Sequence, residues 1–175
     1  MSTAITAVVP AVSSLTLTDS FDDTETAIIG GKTYTGKTTL TNTDGFFKID
    51  TTAGDSTDAI ITLDNLAKAI NLGSITTPGD GTGSGTAYAA ATTAGLVYAT
   101  RPSDYVLKIW AKTPGAIGNQ ITTTETHGEG AWTSTVMASG SGAVDVAIGE
   151  ILAGCQVNAE VEQLLRRFDG RPTTE

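Results

Sequence analysis

Between residues 111 and 126 the chain reads as the end of one strand, a tight turn at Pro114-Gly115, a corner at Gly118-Asn119 and a second strand rich in threonine. Short β-branched runs broken by glycine recur along most of the sequence. Threonine, alanine and glycine dominate. Threonine favours strands because its branched Cβ suits a pleated surface, and glycine supplies the turns between them. Helix formers such as Leu, Glu and Lys are scarce outside two segments. With 175 residues the chain has room for one domain with a real core and is short for two. The expected fold class is α+β, mostly β: a compact Thr/Gly-rich, β-sandwich-like domain with one short packed helix, an N-terminal extended arm and a C-terminal helix.

Residues 1–14 read as the arm, apolar and extended, with Ile5, Val8, Val9 and Val12 available for contact. The β-rich domain follows over residues 15–140. Residues 15–18 alternate as a half-buried strand. Ala27-Ile28-Ile29 runs into Gly30-Gly31, a hairpin-type turn, and Lys32-Thr33-Tyr34-Thr35 leads back. Asn42-Thr43-Asp44-Gly45 is a further turn before residues 46–50. A helix then starts at Ser56 or Thr57, with Asp58 at its positive end. Its apolar stripe is Ile60, Leu63, Leu66, Ala67 and Ile70, and Asn71-Leu72-Gly73 stops it. Residues 74–86 hold almost nothing to bury and read as an exposed loop. Strands are expected at residues 96–100, 105–111, 121–125 and 133–137.

The third segment, residues 141–175, has a different grammar. Past the linker Ser139-Gly140-Ser141-Gly142 the pattern is helical. Val144, Ile148, Ile151 and Cys155 step by 4-3-4, and Val157, Val161, Leu164 and Phe168 repeat that step in a shifted frame. A helix with one narrow apolar seam on a flexible tether needs a partner surface, either its own domain or a neighbouring subunit.

The net charge of −9 argues against a nucleic-acid binder, which needs a basic face to displace counterions from phosphates. Asp19, Asp22, Asp23 and Glu25 cluster as a calcium site would, but without the glycine and distal glutamate of a calcium loop, so they read as a solvated turn. Cys155 is the only cysteine, which rules out an intramolecular disulfide and thiol-rich zinc ligation. No apolar run reaches the length of a membrane span, and the first residues lack the basic region of a secretory signal. Synthesis and assembly in a cytoplasm are expected.

Two patterns invite a catalytic reading. Residues 31–38 match the phosphate-loop expression GxxxxGK[ST], and Ile60-Ile61-Thr62-Leu63-Asp64 passes for a magnesium-holding strand. The mechanism needs a buried strand before the loop and a helix from the lysine; here Lys37 is followed by strand and turn residues, and Asp64 lies in the helix. His127, the only histidine, reads as the tip of a surface hairpin, where Glu125 or Glu129 could orient it. No nucleophile motif accompanies it. Two tryptophans and four tyrosines give little material for the sugar platforms of a glycosidase. No catalytic residue, cofactor or metal is therefore expected, and neither nucleic acid nor membrane as a partner.

The segment 111–126 is similar to a string that recurs in structural proteins of tailed bacteriophages. There it typically follows a Gly-Gly-Lys-Thr-Tyr-Thr segment and a Leu-Asp-Asn-Leu-Ala-Lys-Ala-Ile-Asn helix, found here in the same order at residues 30–35 and 63–71. The resemblance covers roughly residues 15–140 and extends to domains of phage tail sheath, fibre and decoration proteins. It implies a virion module that builds and contacts and catalyses nothing. A sheath subunit is much longer than this chain. The resemblance implies a part of the virion made in the host bacterial cytoplasm, and the small size and single compact domain with extensions favour a capsid decoration or cement protein. Its partners would be the major capsid protein and copies of itself. The alternatives are a tail or neck component (a tube, adaptor or fibre-associated ring subunit) and, more remotely, a secreted adhesin or carbohydrate-binding module. The expected grip comes from Ile5, Val8, Val9 and Val12 of the arm and from Val144, Ile148, Ile151, Val157, Val161, Leu164 and Phe168 of the C-terminal segment. On this reading, removing residues 1–14 or 144–175 leaves the domain folded.

Overall fold

The computed structural model describes residues 7–41, 43–52, 56–73, 87–89 and 95–142. Within them the order is β1 (Val12–Leu17), β2 (Thr26–Ile29), β3 (Lys32–Lys37), β4 (Phe46–Lys48), α1 (Ser56–Asn71), β5 (Val97–Ser103), β6 (Val106–Ala111), a 3-10 turn (Ala116–Gln120), β7 (Thr123–Glu125) and β8 (Gly130–Trp132). The strands form two four-stranded sheets, β5-β6-β1-β8 and β4-β3-β2-β7. The described residues are mostly β with one helix.

Alternation explains the first sheet. In β1, Ser13, Leu15 and Leu17 are buried while Val12, Ser14 and Thr16 face outward. β1 pairs antiparallel with β6 on one side and β8 on the other. Val12 to Ser14, which the sequence placed in the arm, therefore belong to an interior strand. In β6, Leu107 and Ile109 point inward, and Val106, Lys108 and Trp110 outward. Tyr105, two residues before Leu107, is exposed because it lies in the β5–β6 turn.

The second sheet starts from the expected hairpin. Gly30 and Gly31 both have positive φ (57° and 81°), the two-residue turn whose twist matches the flanking strands and which side chains with a Cβ resist. β4 then joins β3 in parallel, Thr35 opposite Phe46 and Lys37 opposite Lys48. Residues 38–45 carry the chain back, and Lys32 paired with Asp44 pins that return.

The last expected strand, residues 133–137, is displaced. β8 lies at Gly130–Trp132, and residues beyond it make only single bridges, Val136 to Thr122, Ala138 to Val12 and Ser141 to Val9. The cause is packing. Trp132 is large and buried opposite Leu15, and Gly130 sits so close to β1 that a Cβ there would lie 2.5 Å from Leu17.

α1 packs on β5, and on β4 and β6. Leu63, Leu66, Ala67 and Ile70 are buried as its stripe requires, while Ile60 is half-buried. Ala59, Thr62, Asn65 and Ala69 are buried too, so the covered face is wider than the apolar stripe. Thr62 accepts from the Asp50 N–H (2.9 Å) and bonds the Ser20 hydroxyl (2.7 Å), tying the helix to the loops after β4 and β1. The helix ends with Leu72 in the left-handed region (φ 59°) and the Gly73 N–H donating to Lys68 O (2.7 Å), a Schellman-type stop. One core joins helix and sheets through Leu15, Phe21, Tyr34, Phe47, Leu66 and Leu107.

At the helix end the Asn71 side chain acts as a surrogate strand. Its Nδ2 donates to Ala99 O (2.6 Å), and the Ala99 N–H donates to its Oδ1 (3.0 Å). This covers part of the free edge of β5. Arg101 of the same strand holds Asp64 of α1 through Nε (2.7 Å). Asn71→Ala is expected to cost about 1–3 kcal/mol, because both Ala99 groups lose their partners; urea unfolding at an unchanged m-value measures it. Tyr88 offers a second check. It is buried and accepts the Lys48 N–H (3.1 Å), and burial pushes its hydroxyl up to about 12 from 10.0. A raised value in the folded state means that its share of stability is complete below pH 10 and is lost as pH rises toward 12. A loss on the order of 2–3 kcal/mol is expected over that window, and Tyr88→Phe should flatten it in alkaline unfolding curves.

Candidate functional site

The segment that reads as turn, corner and strand forms a clamp. After β6 the Gly115 N–H donates to Val9 O (3.0 Å), and the Ala111 N–H to Ala11 O (2.9 Å). The 3-10 turn Ala116–Gln120 then brings Gly118 between Ala11 and Ala111, where an added Cβ would lie 2.8 Å from each. Only glycine fits that approach. Next to it the Asn119 side chain donates to Gly140 O (3.1 Å) and accepts the Gly140 N–H (2.9 Å). The first and last described segments pair beside it. Val9 and Ser141 exchange two bonds (2.8 and 3.1 Å), and Val12 and Ala138 two more (2.8 and 2.9 Å).

The chain therefore enters and leaves the domain at one corner. An added Cβ on Gly142 would lie 2.9 Å from the Val8 Cα. Gly142 also ends the first of the two compact units of the chain. Val8 and Val9 (each 42% exposed) and Ile117 (55%) present apolar side chains to solvent. Of the expected contact residues, Val8 and Val9 lie at this corner, and Val12 lies half-buried on the outer face of β1. Ile5, Val144, Ile148, Ile151, Val157, Val161, Leu164 and Phe168 lie outside the described residues. Ile117 went unread in the sequence, where it is one apolar residue inside a turn.

The groups with chemical potential are held in structural bonds. His127 is not on a surface tip: its side chain is 5% exposed, and its partner is neither Glu125 nor Glu129. Nδ1 meets Glu25 Oε2 at 2.8 Å, Nε2 meets the Asp19 carbonyl at 3.2 Å, and the ring stacks on Phe21 at 4.8 Å. Both nitrogens face oxygen acceptors, so the ring ties the β1–β2 loop to the β7–β8 loop. The flat Phe21 ring draws it inward.

The phosphate-loop match fails on geometry. Residues 32–37 are β3, and the chain continues into β4 with no helix at the lysine. The Thr35 and Gly36 amides donate to Gly45 O (2.7 Å) and Glu25 O (2.8 Å), so they are turned away from any phosphate. Lys37 lies 3.9 Å from Asp23 and over the Phe46 ring. Asp64, the supposed magnesium ligand, pairs with Arg101.

The acidic cluster is likewise held in local bonds. Asp23 accepts the Thr38 N–H (2.9 Å) and hydroxyl (3.2 Å), and that backbone bond above all holds its carboxyl below the ordinary value. Asp19 accepts the Ser20 N–H (2.7 Å), and Glu25 accepts the Asp22 N–H (2.8 Å) besides meeting His127. Among the described residues no three His, Cys, Asp or Glu side chains group to hold a metal. An open cleft of about 290 Å³ lies beside β7 and β8, lined by Thr123, Thr124, Glu125, Trp132, Ser134 and Thr135. It offers one carboxylate, and Trp132 is buried with its indole N–H on Thr124 O (3.1 Å), so no ring lies open as a platform. No helix among the described residues is long and apolar enough to cross a membrane.

No family model matches the chain, and no curated protein or solved structure is significantly similar to it. Its clamp is the feature that sequence and structure both single out. Gly118→Ala should destabilise the domain by about 1–3 kcal/mol through overpacking against Ala11 and Ala111. A lowered melting temperature, with faster proteolysis around residues 7–11, is the expected readout.

Proposed function

We propose that the chain is a non-enzymatic structural protein of a bacteriophage particle, a capsid decoration protein that grips its partner through both terminal segments. The observation that carries this reading is the shared exit at the corner built by Gly115, Gly118 and Asn119. Segments that leave a rigid domain side by side can engage one partner surface together, and each raises the effective concentration of the other. The residues of the phage resemblance support it as well. They form the Gly30-Gly31 hairpin, the buried helix and the clamp, which are scaffold elements. In this reading the two sheets form a sandwich with α1 at its side, and the arm and the C-terminal segment extend from it. Burial of both segments would remove on the order of 1,000 Å² from water, enough for a specific contact. Even weak contacts gain strongly when repeated over a symmetric particle.

The arm that can be removed is shorter than the sequence alone indicates. Val12 begins an interior strand and Ala11 is fully buried, so deleting residues 1–14 would dismantle the first sheet. Removing residues 1–6, or 144–175, is expected to leave the domain folded and to abolish incorporation into particles. Truncated protein that decorates particles at wild-type occupancy would sink the proposal. The direct test is light-scattering chromatography of the purified full chain, alone and mixed with undecorated capsids. Capsid binding supports the reading; a ring or tube that forms alone with no capsid affinity assigns the chain to the tail or neck.

A further inference from the structure

The outer face of the first sheet carries a feature the scaffold does not use. Strand register sets Tyr98, Trp110 and Val12 side by side in one row and Thr100, Lys108 and Ser14 in the next. Tyr98 is 58% exposed. The Lys112 ammonium lies 4.9 Å from the Tyr98 ring centroid, and that of Lys108 lies 5.3 Å from the Trp110 centroid. No carboxylate occupies either row. In a chain of net charge −9 this is a cationic, aromatic face.

The lysines narrow what it can receive. A sugar or a nucleobase would stack on the rings, but an ammonium group already sits over each of them. A carboxylate can meet the ammonium groups without displacing them, so an acidic protein surface fits best. The chain supplies one itself. Asp19, Asp22 and Asp23 are exposed on the turn between β1 and β2. That turn follows the far end of β1, about 17 Å along the strand from the Tyr98–Trp110–Val12 row, so it cannot fold back onto the face of its own copy. We propose that the Tyr98/Trp110/Lys108/Lys112 face binds the acidic β1–β2 turn of a second copy of this chain. The two patches differ, so the contact is heterologous and can propagate from copy to copy. It does not rest on where the chain sits in a particle.

Sedimentation velocity of the full-length protein tests it. The wild type should self-associate with rising concentration at low salt and dissociate at about 0.5 M salt. Lys108→Glu with Lys112→Glu, or Asp19→Lys with Asp22→Lys, should each weaken association at least tenfold. Mixing the two variants should restore it, because the intact face of one then meets the intact turn of the other, and the reversed face the reversed turn. Lys112→Glu alone changes only an exposed side chain and should act in the same direction, more weakly. A wild type that stays monomeric, association indifferent to both reversals, or a mixture that fails to recover would each overturn the proposal. Failure to bind capsids would leave it standing.

Discussion

The fold depends on a backbone problem at its corner. Residues 9–11 and 138–141 lie at the edge of short strands, where unpaired amides and carbonyls are costly once water is excluded. The 3-10 turn Ala116–Gln120 answers this by approaching closely enough for main-chain and Asn119 bonds to reach both segments. Gly118 permits the approach, since Ala11 and Ala111 leave no room for a Cβ. The contact adds to the direct Val9–Ser141 and Val12–Ala138 pairing of the first and last segments of the domain.

Asparagine serves the same purpose twice. Asn119 pairs with both backbone groups of Gly140, and Asn71 with both groups of Ala99. A side-chain amide presents a donor and an acceptor at the spacing of a peptide group, so it can stand in for a neighbouring strand. In a domain whose strands run from three to seven residues, such substitutes cover edges that would otherwise invite another chain.

Residues that elsewhere perform chemistry here join one part of the fold to another. His127 joins Glu25, the Asp19 carbonyl and Phe21; Asp64 joins Arg101; Asp23 joins Thr38 and faces Lys37. The outer face of the first sheet contrasts with them, because Tyr98 and Lys112 are exposed and the Lys112 ammonium lies over the Tyr98 ring.

Much of this was legible from local pattern. The Gly30-Gly31 hairpin, the α1 stripe from Leu63 to Ile70 and the inward Leu107 and Ile109 follow from turn chemistry and periodicity, which act over a few residues. The corner was legible as a motif, though not as a clamp. What only the tertiary structure decided involves partners distant along the chain. His127 finds Glu25 across 102 positions, and Ser13 finds Thr133 across 120. The same holds for β8, which Trp132 draws back from residues 133–137, and for Val12 to Ser14, which extend β1 into the arm because β6 pairs with them on one side while Ala138 and Thr133 bond to Val12 and Ser14 on the other. The sequence by itself determined the hairpin turn, the helix and most of the strands, because steric and hydrophobic preferences are local. Their neighbours were decided by the shared core and by the backbone groups that had to be paired as it closed.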